Sequence, residues 1–260
     1  MTVIYSKDNP RFKQTLRVAQ GKKTQPPKVW LEGVHLCQSW LQSQQPIDYL
    51  VIDEHRLATD IELQQLYQQV ESTQCLILST ALMRQLSQVE QNQGVALVVS
   101  APQAPELHAI QRSALYLDRI QDPGNVGTLL RTAAAAGIQQ VYLSPGCAWA
   151  WSQKVLRSAQ GAHFALIIHE QIQVEQLLHH LHIPLYTTAL EQAQSLYSCV
   201  LAPEAVWAFG NEGQGVAPEL LTYADQRVYI PQAPLVESLN VAVAAGVCLF
   251  EHRRQQLLRT

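Results

Sequence analysis

Apolar residues fall along the chain in two alternating spacings. Runs of three to five, at 29–31, 49–52, 75–78 and 95–99, have the length and β-branched content of buried strands. Between them, residues 9–20, 33–44, 59–70 and 81–90 carry apolar side chains three and four apart, as an amphipathic helix does. The first of these opens with Asn9-Pro10, a capping residue followed by a proline in the first turn, where its missing N–H is not needed. Short strands separated by helices predict an α/β sandwich over residues 1–100. The segment APQAPE, 101–106, continues neither strand nor helix and reads as the start of a linker, taken here as 101–112. The alternation then restarts. Strands are predicted at 114–119, 138–143, 164–169, 184–189, 205–209 and 227–231, and helices at 126–136, 152–160, 172–182, 217–224 and 239–258. Strands joined by helices of this length make a mostly parallel sheet with helices on both faces, here over 113–260. Such sheets bind ligands beyond the carboxyl ends of their strands. The loops after 114–119, 205–209 and 227–231 are therefore the places to look for chemistry.

Composition narrows the class. The 260 residues are 47% apolar and 15% charged, which excludes a disordered chain, a collagen and a coiled coil. No apolar run approaches the ~20 residues that span a bilayer, and MTVIYSKDNPRFK lacks the apolar stretch of a secretory signal. A soluble cytoplasmic protein is expected. Cys37, Cys75, Cys147, Cys199 and Cys248 stand singly with no CxxC pair, so free buried thiols are expected rather than disulfides or a zinc site. His179-His180-Leu181-His182 looks like a ligand cluster, but neighbours on a helix point apart, and no metal is expected. Charge is informative in its distribution. Residues 1–30 hold seven basic side chains against Asp8 alone, a charge of +6, while the other 230 residues carry −9. Charge alone balances evenly between a polyanion contact and a solvated helix face.

Three loops carry more than folding requires. In Asp122-Pro123-Gly124-Asn125-Val126-Gly127, Asn125 is expected to cap the helix that Gly137 ends. That leaves Arg131 as a lone charge in an otherwise uncharged helix, expected to need a carboxylate or a phosphate. Phe209-Gly210-Asn211-Glu212-Gly213-Gln214-Gly215 follows an apolar strand. Its glycines let a backbone pass close to a ligand, although it matches neither GxGxxG nor a phosphate-binding Lys-Ser/Thr loop. Ile230 through Val241 ends with Glu237, Ser238 and Asn240 before the last helix, which either Ser238 or Asn240 would cap.

These three stretches together resemble motifs 1, 2 and 3 of the SpoU (TrmH-type) RNA 2′-O-ribose methyltransferases of the SPOUT superfamily. The likeness rests on NxGxxxR after a strand, a GNEGxG turn, and IPxxxxxESLNVxVA at the last helix. It covers about residues 112–256, with the motifs in the family's order and spacing. Pro234 and Leu235 stand where a glycine is common, and Ala134 where an acid is common. The first hundred residues resemble, less specifically, the ribosomal-protein-L30e-like substrate-binding domain that often precedes this fold. The resemblance implies a deep C-terminal trefoil knot, an exception to the rule against threaded loops. It implies methyl transfer from S-adenosylmethionine to a ribose 2′-hydroxyl of structured RNA, without a metal. Gly210, Ile230 and Leu239, with Ala189 less specifically, are then expected around the methyl donor. Arg131 would clamp the RNA phosphate and polarise the hydroxyl, since a guanidinium rarely deprotonates. Asn125 and Asn240 would orient Arg131 and the ribose, Ser238 would bond the same group, and Glu212 would fix the motif 2 turn or the arginine. A homodimer is implied as well, packed on the small-residue run Ala242–Gly246.

The resemblance favours 23S ribosomal RNA, with transfer RNA as the alternative. A catalytically silent RNA-binding protein is disfavoured because Asn125, Arg131, Ser238 and Asn240 are all present. A nucleotide-binding oxidoreductase is disfavoured because no GxGxxG turn follows the first strand of either half.

Overall fold

The computed structural model describes residues 2–87, 92–233 and 238–259. Two compact units divide the chain: Met1–Pro102 with Trp151–Gln153, and Gln103–Ala150 with Lys154–Thr260.

In the first unit, α1 (Pro10–Ala19) is capped by the Asn9 side chain, which accepts from the amides of Arg11 and Phe12. It buries Phe12, Thr15, Val18 and Ala19 and turns its charged residues outward. There follow β1 (Lys28–Glu32), α2 (Val34–Gln42), β2 (Tyr49–Asp53), α3 (Glu54–Thr59), α4 (Ile61–Gln68), β3 (Cys75–Leu78), α5 (Thr80–Leu86) and β4 (Val95–Ser100). The helix expected over 59–70 is α4, and a further short helix, α3, precedes it. Asp53 and Asp60 each cap a new start, accepting two backbone amides apiece, and the chain breaks at Asp60. The helix expected over 81–90 ends at Leu86, and residues 88–90 of it lie outside the described residues. The sheet runs β1-β4-β2-β3, antiparallel except for the β2–β3 pair. Trp30, Val51, Leu76 and Val98 pack with Phe12 of α1 and Met83 of α5 into its core.

The second unit contains β5 (Ala114–Asp118), α6 (Pro123–Ala135), β6 (Gln140–Leu143), α7 (Gln153–Ala159), β7 (Ile167–His169), α8 (Val174–His180), β8 (Leu185–Thr188), β9 (Gln194–Ser195), β10 (Val206–Gly210), α9 (Pro218–Tyr223), β11 (Gln226–Tyr229) and α10 (Val241–Leu257). The sheet order is β7-β6-β5-β10-β8-β11-β9, and every pairing is parallel. The predicted alternation is met, apart from β9, too short to leave a pattern. Val206 to Gly210 are fully buried on both faces, which explains the unbroken apolar run. Motif 1 packs by close approach. A Cβ on Gly127 would lie 2.4 Å from Ser158 Cβ and 2.6 Å from Val155 O, so only glycine lets α6 and α7 meet there. Ala242 and Ala245 are buried within the chain, so the small side of α10 faces its own fold. Val243, Phe250 and Leu257, seven residues apart, are exposed instead.

His179 and His180 meet edge to face with ring centroids 5.1 Å apart, closer than helical neighbours were expected to come. Among the described residues, no group of three His, Cys, Asp or Glu is placed to hold a metal, and no helix is long and apolar enough to cross a membrane. All five cysteines are free.

Two buried histidines hold the second unit in a pH-dependent way. The Trp207 indole donates to His252 Nδ1 at 3.0 Å, so His252 carries its proton on Nε2 and donates to Ala202 O at 2.7 Å. His163 Nε2 bonds Ala150 O at 2.7 Å. Burial pushes the His252 pKa below its ordinary value and that of His163 down to about 4. Both are therefore neutral in the fold, whereas the unfolded chain takes up protons below about pH 6.5. Stability should be flat above that pH and fall as pH drops toward about 4, with His163 alone contributing a loss of about 2 kcal/mol by pH 5. Urea unfolding at pH 7 and pH 5 measures this, and equal midpoints would contradict it.

Candidate active site

At the carboxyl ends of β8, β10 and β11 lies a cavity of about 450 Å³. Its walls come from the loop after β8, the 209–216 loop, the loop after β11 and the start of α10. Ala189, Gly210, Ile230 and Leu239, expected around a donor, all line it, as do Glu212, Ser238 and Asn240. Phe209, Val216 and Val228 supply apolar wall. A hollow of this volume with mixed apolar and polar lining suits a small organic ligand. Asn125 and Arg131 do not line it. Glu237, like Pro234 and Leu235, lies outside the described residues.

The three motifs are joined by one directional chain of hydrogen bonds. Asn240 caps α10, its Oδ1 accepting from the amides of Ala242 and Val243. Its Nδ2 must then donate elsewhere, and it donates to Asn125 Oδ1 at 3.0 Å. Asn125 Nδ2 in turn donates to Glu212 Oε1 at 2.7 Å. Each amide is used at both ends, so each orientation is fixed by the next. Asn125 therefore does not cap α6. Asp122 does, accepting from the Asn125 amide at 2.8 Å, because α6 begins at Pro123, three residues earlier than predicted. The helix still ends ahead of Gly137, whose φ of +87° suits only glycine.

Arg131 departs from its expectation of a partner inside the fold. It is exposed, one turn from Thr128 and from Ala135 on the outward stripe of α6, and among the described residues no carboxylate pairs with it. Neither asparagine bonds it.

The sequence reading passed over Asp118 and Arg119. Asp118, buried at the end of β5, accepts from Arg119 Nε and Nη2, both at 3.0 Å, and from the Ala217 amide at 2.8 Å. Arg119 sits at φ +56° and reaches the motif 2 loop, where Nη1 donates to Gln214 Oε1 at 2.9 Å. Asn211 Nδ2 donates back to Arg119 O at 3.0 Å. The signal available in sequence was an acid at the end of an otherwise apolar strand, a position where an unpaired carboxylate would be costly.

The same loop revises the reading of Gly210. A Cβ there would meet not open cavity but backbone, 2.2 Å from Gly215 C and O and 2.3 Å from Val216 N. Glycine is required because the loop folds back over it, closed by the Gly215 amide donating to Asn211 O at 2.8 Å. Gly210 is thus needed first for the loop's own closure, and not only, as its sequence context suggested, to let backbone pass close to a ligand. Gly210→Ala should destabilise the second unit by about 1–3 kcal/mol as an overpacked site. Ligand affinity should fall together with the melting temperature. A thermal melt beside calorimetry checks this, and a wild-type melt would remove the loop-closure argument.

Comparison with known proteins agrees with this geometry. The profile of the SpoU rRNA Methylase family matches residues 112–250, and that of the RNA 2′-O ribose methyltransferase substrate-binding family matches 30–105. The chain is 34% identical to the 23S rRNA (guanosine(2553)-2′-O)-methyltransferase of Bacillus subtilis, over 97% of this chain and all of that one. A crystal structure of an RNA 2′-O ribose methyltransferase superposes with a TM-score of 0.81 at 27% identity, covering 98% of this chain and 100% of the other. The AdoMet-bound rRNA methyltransferase of Sinorhizobium meliloti, at 24% identity and 97% coverage of both chains, shares the fold with a TM-score of 0.84. With motifs 2 and 3 lining one cavity, motif 1 tied to both through Asn125, and both parts of the chain matched, the chain belongs to the SpoU methylase family.

Proposed function

We propose that the protein methylates a ribose 2′-hydroxyl of 23S ribosomal RNA in the cytoplasm, using S-adenosylmethionine. The observation that carries this reading is the cavity bordered by the Asn240–Asn125–Glu212 chain. The choice of 23S over transfer RNA rests on the full-length likeness to the Bacillus subtilis enzyme. The first unit serves as the RNA-binding domain and the second as the catalytic one.

The bound donor supplies an already activated methyl group. The chain's task is alignment and removal of the hydroxyl proton. The backbone at Ala189, Gly210, Ile230 and Leu239 surrounds the donor, and Ser238 and Asn240, which also line the cavity, meet the ribose. Asn125 acts as a positioning residue, since both ends of its amide are engaged. The meeting of three loops and a helix start around one hollow also supports the knotted threading expected of this family.

Arg131 clamps the substrate phosphate and polarises the 2′-hydroxyl. Because it is exposed and does not line its own chain's cavity, we place it in a site completed across a homodimer. The exposed stripe Val243, Phe250 and Leu257 on α10 supports such a contact, since monomers rarely leave apolar rows in water.

Two outcomes follow. Arg131→Lys keeps the charge but loses the planar fork, so single-turnover methyl transfer at saturating donor should slow at least ~100-fold, about 2.7 kcal/mol of transition-state stabilisation. Donor affinity and the thermal melt should stay unchanged, whereas near-normal turnover would remove Arg131 from the chemistry. Sedimentation should find a dimer burying more than ~1,000 Å². Phe250→Asp should dissociate it, and a wild-type monomer at micromolar concentration would overturn the shared site.

A further inference from the structure

The half of the chain that matches a substrate-binding family is the wrong charge for its substrate. Residues 30–105 contain two arginines, no lysine and eight carboxylates, a net charge of −6. A polyanion approaching that region alone meets net repulsion. Residues 1–29, ahead of the matched region, carry +6.

The structure leaves most of those charges exposed on and just after α1. With Phe12, Thr15, Val18 and Ala19 turned inward, α1 leaves Arg11, Lys13 and Arg17 exposed, and its first turn holds no acid. The helix then stops in a way that extends the row. The Lys22 amide donates to Arg17 O at 3.0 Å and the Gly21 amide to Val18 O at 2.8 Å, with Gly21 at φ +68°. This paired closure bends the chain sharply, so Lys22 and Lys23 emerge at the helix C-terminus, both exposed. Lys13 pairs with Asp8 at 2.9 Å. Arg11, Arg17, Lys22 and Lys23 have no ion-pair partner among the described residues. A solvated helix face usually mixes both signs, and this one does not.

We propose that the outer face of α1 and the turn after it hold the phosphodiester backbone of the substrate RNA, supplying the cationic contact that residues 30–105 lack. The inference rests on RNA being the substrate. Long flexible side chains at a helix surface and its C-terminal turn track a backbone rather than read bases, so the contact is sequence-independent.

The test is a fourfold variant, Arg11→Gln, Arg17→Gln, Lys22→Gln and Lys23→Gln, all at exposed positions, with glutamine sustaining the helix at 11 and 17. Binding of a 20-nucleotide single-stranded RNA is followed from low to high salt. Each lost phosphate contact flattens the slope of log K against log salt by ~0.7, so the slope should become shallower by about 3 and affinity at low salt should fall at least tenfold. Lys22→Gln with Lys23→Gln alone should flatten it by about 1.4. Calorimetry with S-adenosylmethionine and a thermal melt should match wild type, which separates lost RNA contact from misfolding. A slope unchanged in the fourfold variant, beside a steep one in wild type, overturns the proposal and leaves the RNA reading intact. Wild-type protein with no salt-dependent RNA binding sinks both. Vesicles of phosphatidylcholine with phosphatidylserine provide the remaining arm: binding that the variant loses while its RNA slope is unchanged would make this a membrane surface instead.

Discussion

A buried carboxylate sets the geometry of the second unit. Asp118 is almost wholly removed from water, and an unpaired charge there would cost several kcal/mol. It is satisfied only if three segments converge: the Arg119 fork, the Ala217 amide beyond the motif 2 loop, and the Ser144 hydroxyl after β6 at 3.4 Å. The loop that walls the cavity is therefore held by the requirement to neutralise a strand end. Arg119 accepts a left-handed backbone to do so, a conformation that non-glycine residues adopt only when their surroundings fix it.

On that base stands the second device, the chain from α10 to Asn240, Asn125 and Glu212. Its direction originates in a helix end. The free N–H groups of the first turn demand an acceptor, which commits the oxygen of Asn240 and leaves its nitrogen to face Asn125. Propagated once more, this presents an amide donor to Glu212. A helix-capping interaction thus sets the orientation of polar groups two motifs away. Residues that look like independent site members in the sequence act as one hydrogen-bonded unit.

What was legible in the sequence divides along physical lines. Parallel strands buried on both faces leave apolar runs, so β5, β6, β8, β10 and β11 were readable within a residue or two. That Ala189, Gly210, Ile230 and Leu239 would gather was readable only through the family resemblance, and they line one cavity. Side-chain direction was not. Asp122 and Asn125 are both good caps three residues apart, and Pro123, which favours the first helical position, was the signal that Asp122 caps α6. Gly210 and Gly127 were recognisable as special, yet the obstructing partner, loop backbone for one and α7 for the other, is a tertiary fact. The Asp118–Arg119 pair was harder to weigh: an acid ending an apolar strand was a signal, but adjacent residues of opposite charge are commonplace on surfaces, and only burial makes this pair structural.

Arg131 shows how exposure changes the meaning of a lone charge. Buried in an apolar helix, it would have demanded a carboxylate within the fold, and its role would be structural. On the surface of α6 it is hydrated and needs no partner to fold. Its five donors are then available to a group that arrives from outside, and a planar guanidinium meets a phosphate at two oxygens. The same reasoning separates the two cationic regions of the chain. The row on α1 is multiple and flexible, suited to holding a backbone in many registers. Arg131 is single and mounted on a helix locked against α7 through Gly127, suited to one phosphate in one place. Affinity and alignment are distinct physical tasks, and the two cationic features suit them differently.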